Sequence, residues 1–321
     1  MTHFLFRNTR RQRWLRTAGW RTEAALLYLF WLTVRQLPVE QASATGRRVF
    51  TWLGPHTRQQ QRIMHNLSTA FPGLACSQLE ALARDSWGNF GSVLAEYPHL
   101  EELADGCKNG AVELQIDPVA RGLIQDGNPA IYISAHIGNW ELAASAIASL
   151  GVPLSVVYAP QGNPVVERML QSRRRALGCR FIRKQNALRE LVREIRKGRS
   201  VGMLPDQRMD SGVSLPFFGR TTPSPTTPAW LALHTGSPLI PVHIERSRNA
   251  RYRAEFQEPI VCGGAPATRA NILRITTSIN HLFENWIRRH PEQWLCIKRR
   301  WPKAVYKPSH TMAPAITAND H

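Results

Sequence analysis

A histidine and a glutamate lie five residues apart at a place in the sequence where reactive groups are common. His136 directly follows residues 130–135, an apolar, β-branched run that predicts a buried strand. Glu141 opens the helical sequence that comes next, and Gly138 permits a tight turn between them. The carboxylate could hold one ring nitrogen of His136 and leave the other to act as a general base. A core histidine, satisfied by a neighbouring backbone group, is the competing interpretation.

A second carboxylate, Asp206, follows another apolar run at 201–204. Ligands of open α/β sheets bind beyond the carboxyl ends of the strands, so Asp206 could line the same cleft as His136. It could equally start a turn, as aspartate commonly does. Further on, the proline-rich segment 215–229 is costly to expose because it is so apolar. It predicts either a lid over an apolar pocket or a loop packed on the core.

Arginines supply the third group of candidate functional residues. Residues 171–200 hold eleven lysines and arginines against two glutamates, and three of the arginines are consecutive, at Arg173, Arg174 and Arg175. A solvated helix face is the ordinary interpretation of such a run. The functional interpretation is recognition of phosphate, for which the planar guanidinium group is well suited.

The sequence offers little support for metal or cysteine chemistry. It contains no His-Glu-x-x-His motif and no second ligand at metal-binding spacing from His136, so we expect no metal. The five cysteines are odd in number, widely spaced and without a CxxC pair, which argues against a disulfide framework and a zinc ribbon. None lies at a recognisable nucleophile elbow. This cysteine usage suits a reducing compartment.

Strands and helices alternate around these residues. Predicted strands lie at 130–135, 154–158, 201–204 and 239–243, and predicted helices lie between them at 164–177 and 187–197. This alternation predicts an α/β fold with a mixed, mostly parallel sheet flanked by helices.

The region before the first predicted strand has a helical pattern. Residues 61–100 are interrupted at 71–73, where Pro72 and Gly73 end one helix. Ser77 and Glu80 have the spacing of a capping box that would open the next helix.

The amino-acid composition is that of a folded, strongly basic protein. The chain has 321 residues, 43% of them hydrophobic, which is enough for a core and excludes disorder throughout. It carries 41 Lys and Arg against 23 Asp and Glu, a net charge of +18. A surface this basic attracts polyanions such as nucleic acid, anionic lipid or an acidic protein.

The N-terminal 60 residues have a composition typical of membrane association. They hold ten arginines, two glutamates and four of the ten tryptophans around an apolar run at 24–34. Eleven residues rise only about 16 Å as a helix, well short of a hydrocarbon core of roughly 30 Å. We therefore expect an amphipathic helix that lies in the membrane interface. A buried soluble helix and a cleaved signal peptide, with Ala-Ser-Ala at 42–44 as its cleavage site, are the alternatives.

Four sequence blocks resemble the bacterial lipid A late acyltransferases (lauroyl and myristoyl transferases), a branch of the lysophospholipid acyltransferase superfamily. His136 and Glu141 with the intervening Gly138-Asn139-Trp140 resemble its His-x4-Asp/Glu motif. Three further blocks agree in order along the chain: Asn66-Leu67 with Ala70-Phe71-Pro72; Leu204-Pro205-Asp206-Gln207; and Phe217-Phe218-Gly219 followed by Thr226, Ala229, Leu231-Ala232, Gly236 and Pro241. The similarity spans roughly residues 20–300, and the length and basic N-terminus also fit.

The resemblance implies a glycerolipid acyltransferase-like fold and an enzyme that moves a fatty acyl chain from acyl carrier protein to a hydroxyl of a lipid A precursor. It implies catalysis at His136 and Glu141, a supporting carboxylate at Asp206 and an arginine before Gly178. Arg173, Arg174 and Arg175 all fit that arginine, and we choose Arg174. As donors to the oxyanion we assign backbone N–H groups and Arg174. We expect no cofactor besides the acyl carrier protein thioester, no metal and no acyl-enzyme. Substrate contacts are expected from six residues: Asn139, Arg173, Arg175, Phe217, Phe218 and Gly219.

The expected organisation is a basic, tryptophan-rich membrane-associating segment at 1–60, an acyltransferase domain at 61–308 and a disordered tail at 309–321. The expected location is the cytoplasmic face of the bacterial inner membrane, through monotopic attachment or one N-terminal anchor, with anionic lipids and acyl carrier protein as partners. Another glycolipid or a lysophospholipid is the alternative acceptor. A basic nucleic-acid-binding protein is the rival from another class, but no recognisable nucleic-acid module is present, so nucleic acid is not an expected partner.

Overall fold

A computed structural model describes residues 13–306, except for residue 186 and residues 261–264. The expected tail at 309–321 therefore lies outside the described residues. Twelve α-helices are present in the described part: α1 (Arg13–Val34), α2 (Val39–Leu53), α3 (Gln60–Ala70), α4 (Cys76–Glu96), α5 (Leu100–Ala104), α6 (Gly106–Asn109), α7 (Pro118–Gln125), α8 (Leu142–Ser149), α9 (Pro164–Arg174), α10 (Ala187–Arg196), α11 (Thr227–Thr235) and α12 (Arg269–Arg289).

Nine strands form two sheets in the same part of the chain: β1 (Val112–Ile116), β2 (Ile131–Ile133), β3 (Leu154–Tyr158), β4 (Arg180–Arg183), β5 (Ser200–Met203), β6 (Val213–Phe217), β7 (Arg220–Ser224), β8 (Leu239–Arg248) and β9 (Arg251–Phe256). The large sheet has the order β1-β9-β8-β2-β5-β3-β4, and β6 pairs with β7. Only the β8–β9 pair of the large sheet is antiparallel. The mixed, mostly parallel sheet flanked by helices is thus confirmed.

The four predicted strands are β8, β2, β5 and β3, which are neighbours in the middle of the large sheet. All residues of β2 and β5 are buried at the centre of the sheet, because helices cover both faces of parallel strands. The outer strands β1, β4 and β9 alternate between buried and more exposed residues, so their apolar signal is weak. Two main hydrophobic clusters fill the core, one of them around α4, α11 and α12 and the other around α5, α8 and α9.

The proline-rich segment 215–229 differs from the predicted loop. Its first half forms the β6–β7 hairpin, in which Leu215 pairs with Thr222. A two-stranded ribbon has only edge strands, and these tolerate proline. Phe218 and Gly219 make the turn with φ of 49° and 67°. The hairpin packs on the core through Phe217. The rest of the segment borders the large cavity at Pro225, Thr227 and Pro228.

The capping box that we predicted at Ser77 and Glu80 is also wrong. Helix α4 begins at Cys76, with Ala75 as its N-cap residue. The side chain of Gln78 accepts a hydrogen bond of 2.8 Å from the backbone N–H of Ala75. The box residue is therefore a glutamine three positions after the N-cap, two residues before the predicted Glu80.

Helices α1 and α2 pack against the rest of the protein. Gly46 of α2 and Gly91 of α4 bring the two backbones together, since a Cβ atom at Gly46 would lie 2.2 Å from the Gly91 carbonyl oxygen. Trp31 of α1 is buried and donates a hydrogen bond to the Leu94 carbonyl. Several large apolar side chains of α1 and α2 nevertheless face outward: Leu26, Leu29, Leu32, Val49, Trp52 and Leu53. Within the described residues we find no helix that combines the length and the apolar character needed to cross a membrane.

Candidate active site

The histidine of the first motif lies at the carboxyl end of the central strand β2, on the loop that leads into α8. Three hydrogen bonds fix the backbone of this loop: the Gly138 N–H donates to the Gln293 carbonyl, the Asn89 side chain donates to the Gly138 carbonyl, and the Leu295 N–H donates to the His136 carbonyl. Gly138 has a φ of 58°, and a Cβ atom there would lie 2.5 Å from the Ile244 carbonyl oxygen. Only glycine fits this turn.

Asp206, and not Glu141, is the carboxylate that holds His136. It follows β5, which pairs with β2, so the two strand ends place the side chains together. His136 Nδ1 lies 2.6 Å from Asp206 Oδ1, and the Asp206 side chain is only 1% exposed. The carboxylate can only accept, so His136 donates from Nδ1 and its Nε2 carries the lone pair. The predicted hydrogen bond between His136 and Glu141 is wrong.

Gln207 faces the basic nitrogen of His136. Its amide nitrogen lies 3.1 Å from His136 Nε2, and its amide oxygen accepts a hydrogen bond of 2.9 Å from Lys298 Nζ. The lysine donor fixes the orientation of the amide, so the NH2 group of Gln207 points at the histidine. The chain Lys298–Gln207–His136–Asp206 is a continuous set of polar contacts that ends at a buried carboxylate.

Glu141 forms a buried ion pair with Arg174. Arg174 Nε lies 2.9 Å from Glu141 Oε2, and Arg174 Nη2 lies 2.5 Å from Oε1. Tyr97 and Trp140 also donate to Oε1. Burial alone would raise the pKa of Glu141, but the arginine and these donors outweigh it and lower the pKa. The local helical turn directs Glu141 toward α9, where Arg174 ends the helix. Of the three consecutive arginines, the structure therefore distinguishes Arg174.

The other two arginines and Asn139 do not border the cavity next to His136. The Arg173 guanidinium lies 5.9 Å from the ring centre of Trp31, and Arg175 is exposed at the start of a short 3-10 turn. Asn139 is fully buried and donates a hydrogen bond of 2.8 Å to Glu96. Its oxygen accepts from the Glu141 N–H, so it braces the loop. Substrate contact at these three residues stays a prediction.

Phe217, Phe218 and Gly219, the other expected substrate contacts, lie in the β6–β7 hairpin, and their contact with substrate stays a prediction. Phe217 is fully buried against Trp294 and Trp301. The Phe218 N–H donates a hydrogen bond of 2.8 Å to Glu284, and Gly219 completes the hairpin turn. These three residues shape the hairpin and are not among the described residues that border the cavity next to His136.

A second buried network was not predicted. Arg246 and Glu96 form an ion pair, and the Tyr252 hydroxyl donates to the same carboxylate. Arg246 Nε also donates to Asn89, whose side chain holds the Gly138 carbonyl. Glu96 lies in a long helix and Arg246 in a strand far along the chain, so no local pattern marks them. The network supports the loop that carries His136.

A large cavity of about 1090 Å³ opens beside His136. Polar side chains that border the cavity include those of His136, Gln207, Arg208 and Lys298. Most of the lining surface is apolar, and it includes Leu26 of α1 and Val49 and Leu53 of α2, which are also exposed at the protein surface. The cavity can therefore take a long apolar group with its reactive end at the histidine.

Sequence reasoning identified His136 and Asp206 but gave no role to Gln207, Lys298 or Tyr97. Gln207 directly follows Asp206, so its place in the same block is a signal that could have found it. Lys298 and Tyr97 reach the site from distant parts of the chain and carry no local signal. The metal-ligating groups of three or more side chains found in the described residues do not include His136.

Comparisons with known proteins agree on one family. The sequence model for bacterial lipid A biosynthesis acyltransferases matches residues 10–303. The lipid A biosynthesis palmitoleoyltransferase of Escherichia coli K12 is 26% identical over 281 residues, which cover 86% of this chain and 89% of that protein. The phosphatidylinositol mannoside acyltransferase of Mycobacterium tuberculosis H37Rv is 24% identical over 286 residues, 84% of this chain and 86% of that protein.

Among solved structures, the 1-acyl-sn-glycerophosphate acyltransferase of Thermotoga maritima matches with a TM-score of 0.33 and 13% identity, covering 76% of this chain and 98% of that one.

Proposed function

The chain belongs to the bacterial lipid A biosynthesis acyltransferase family and is an acyltransferase, and from this premise we propose that it transfers a fatty acyl chain from the thioester of acyl carrier protein to a hydroxyl group of a lipid A precursor. The observation that carries the proposal is the His136–Asp206 pair, whose histidine borders a large and mostly apolar cavity. A general base and a channel for hydrocarbon are the two parts that such a transfer needs.

His136 acts as the general base in this reaction. Its Nε2 takes the proton of the acceptor hydroxyl while that oxygen forms a bond to the thioester carbon. Asp206 keeps Nδ1 protonated and stabilises the imidazolium ion that forms. When the tetrahedral intermediate collapses, the carbon–sulfur bond breaks and His136 returns the proton to the departing thiolate. The step needs no acyl-enzyme and no metal.

Gln207 is the side-chain donor best placed for the oxyanion. The expected donor, Arg174, already uses Nε and Nη2 for Glu141. Gln207 directs its NH2 group toward the nitrogen that the acceptor hydroxyl must approach. When the hydroxyl takes that position, the amide N–H groups of Gln207 become available to the oxyanion that forms beside it.

The apolar rim of the cavity supports attachment to the cytoplasmic face of the bacterial inner membrane. Leu26, Val49 and Leu53 border the cavity and are exposed at the surface. A lipid acceptor could enter from the bilayer between α1 and α2 without its acyl chains crossing water. The net charge of +18 would draw the protein to anionic lipids and draw the acidic acyl carrier protein to it.

Mass spectrometry of the lipid product tests the reaction. The full chain in detergent is incubated with a Kdo-bearing lipid A precursor and acyl carrier proteins that carry chains of different lengths. We expect a mass gain of one acyl chain, absent with His136→Ala and retained with His281→Ala, which changes an exposed histidine of α12. A His136→Ala enzyme with most of its activity would refute the mechanism.

A second acceptor class is favoured by the comparisons. The relatives include a phosphatidylinositol mannoside acyltransferase at an identity close to that of the lipid A enzyme. The same assay is therefore run with mannosylated phosphatidylinositol and with lysophospholipids. Acylation of one of these and not of the lipid A precursor would keep the mechanism and move the function to another glycolipid or to a lysophospholipid.

The role of Gln207 is tested by its own variant. In Gln207→Glu the shape is kept but the N–H donors are lost, and we expect kcat to fall on the order of 10²-fold with KM little changed. Lys298→Met removes the contact that orients the amide and should give a smaller loss. If kcat is unchanged in Gln207→Glu, the side chain of Gln207 does not bind the oxyanion. Backbone N–H groups alone would then bind it.

A further inference from the structure

Three side chains that can ligate a metal converge on the β8–β9 hairpin. They are His243, Glu245 and Glu255, and their ligand atoms lie within 4.8 Å of one another. His243 and Glu245 are two residues apart on β8 and so point to the same face. Glu255 of β9 is the direct partner of His243 in the antiparallel register. The neighbouring residue Val242 borders the large cavity, which places the cluster on the opposite face of the sheet.

His243 lacks the hydrogen bonds that a buried imidazole requires. Its side chain is 0% exposed, and neither Nδ1 nor Nε2 has a hydrogen-bond partner among the described residues. The indole of Trp286 stacks on the ring, with the ring centres 4.8 Å apart and 25° between the planes. A buried polar group without a partner costs roughly 1–3 kcal/mol, and an ion is one of the groups that can satisfy it.

The separation of His243 and Glu255 is that of two ligands around one ion. His243 Nδ1 lies 3.5 Å from Glu255 Oε2, too far for a good hydrogen bond. Bonds of roughly 2.1 Å at a tetrahedral angle place two ligand atoms about 3.4 Å apart. His290 lies beside the group, with its Nε2 3.3 Å from Glu245 Oε1 and its Nδ1 3.4 Å from Glu292, and can support the Glu245 carboxylate.

We propose that His243, Glu245 and Glu255 bind one divalent cation of the zinc class. Imidazole and carboxylate are ligands that Zn²⁺ accepts in a tetrahedral site, and three protein ligands leave the fourth position to water. The site ties β8 to β9. Arg246, the residue after Glu245 on β8, belongs to the buried network that supports the loop carrying His136.

The surroundings are compatible with a bound cation. Gln257 donates a hydrogen bond of 3.1 Å to Glu255 and itself accepts one from Trp286, which orients the carboxylate. Arg289 is the nearest competing cation, at 3.9 Å from Glu255, but its side chain is about half exposed and can turn to solvent. Arg253, opposite Glu245 in the register, lies 3.5 Å from Glu113.

Metal binding by the full chain tests the proposal without any acyl-transfer readout. Protein without a histidine tag is stripped with a chelator and titrated with Zn²⁺ by calorimetry, and with Co²⁺ by visible absorption. We expect one ion per chain, a Co²⁺ spectrum of tetrahedral type without a thiolate band, and a melting temperature that rises with added Zn²⁺.

Variants assign the site. Glu245→Gln and Glu255→Gln keep the shape of the side chains and should each weaken Zn²⁺ binding at least about tenfold. Glu113→Gln, on the next strand of the same sheet, is the matched control and should bind as the wild type does. Absence of one-to-one binding, or equal binding by all three variants, would overturn the proposal. The metal titration does not depend on the acyl-transfer assay. A protein that transfers no acyl chain to the tested acceptors would still be expected to bind Zn²⁺.

Discussion

At the scale of single residues, the site separates the tasks of two carboxylates. Asp206 contacts the imidazole of His136, whereas Glu141 neutralises Arg174 beneath the loop. Both are buried, and each has its own hydrogen-bonding partner. We propose that Asp206 supports the proton transfer at His136 and that Glu141 holds the loop in position. Substitution of Asp206 should therefore lower kcat, whereas substitution of Glu141 should lower the free energy of unfolding.

Asp206→Asn tests the first task. The amide can donate to Nδ1 and reverse the tautomer, and it cannot stabilise the imidazolium ion. We expect kcat to fall on the order of 10³-fold or more with the fold retained, measured as initial rates of acyl transfer alongside circular dichroism. Asp210→Asn, at an exposed aspartate four residues on, is the control. An Asp206→Asn enzyme within about twofold of wild type would contradict the role.

Glu141→Gln tests the second task through stability. It leaves the Arg174 charge buried without its partner, which costs roughly 3–5 kcal/mol at neutral pH. The folded pKa of Glu141 is lowered, so its contribution is present above the unfolded pKa of about 4.3 and is lost as pH falls through the folded value. The gap between wild type and variant should narrow in acid, as measured by denaturant unfolding with tryptophan fluorescence.

The control is Glu190→Gln, which breaks a half-exposed pair with Arg180 and should cost no more than about 1 kcal/mol. A double variant, Glu141→Leu with Arg174→Met, should recover part of the stability because no charge is left unpaired. If Glu141→Gln lowers the free energy of unfolding as little as Glu190→Gln does, the buried ion pair of Glu141 and Arg174 does not stabilise the protein as we expect.

At the scale of elements, the N-terminal helices combine two faces. One face of α1 and α2 packs on α4 through Trp31 and the Gly46–Gly91 contact. The other face presents Leu26 and Leu29, which are 56% and 59% exposed. An exposed leucine face beside the mouth of an apolar cavity is typical of a membrane contact.

The double variant Leu26→Glu with Leu29→Glu tests this surface. Each leucine that enters the bilayer contributes roughly 1.5–3 kcal/mol, so vesicle binding should fall at least on the order of 10²-fold. Flotation with liposomes measures it. Val119→Glu, at a similarly exposed apolar residue of α7, is the control and should float as the wild type does. If the double variant floats as the wild type does, Leu26 and Leu29 do not form the membrane contact.

At the scale of the whole molecule, we expect charge and cavity to act on different partners. The excess of 18 positive charges would act at long range on anionic surfaces, whereas the cavity would bind an apolar chain by contact. Attraction to anionic lipid is worth roughly 1 kcal/mol for each Lys or Arg near the surface, and salt screens it.

Vesicle binding should therefore depend on both lipid charge and salt. We expect binding to vesicles with phosphatidylglycerol to fall at least about tenfold between about 0.05 M and about 0.5 M salt. Binding to uncharged phosphatidylcholine vesicles, which rests on the leucine face alone, should be weaker and nearly independent of salt. Equal binding to phosphatidylglycerol and phosphatidylcholine vesicles would contradict this prediction. The basic surface would then be expected to bind protein partners only.

The central strands and the candidate catalytic histidine can be found from the sequence alone. Strands buried on both faces, such as β2 and β5, have apolar runs that can be found without a structure. His136 was identified because it follows such a run and belongs to an ordered set of motifs. Strands β1, β4 and β9 were missed because their residues alternate in burial.

Which side chains contact one another depends on the tertiary structure. Glu141 is close to His136 in sequence, but the turn into α8 directs it to Arg174. Asp206 is 70 residues away and is the partner because β5 lies beside β2 in the sheet. Lys298 reaches the site over 91 residues from Gln207. The physical reason is that motifs report local conformation, whereas strand order and helix packing determine contacts between residues far apart in the chain.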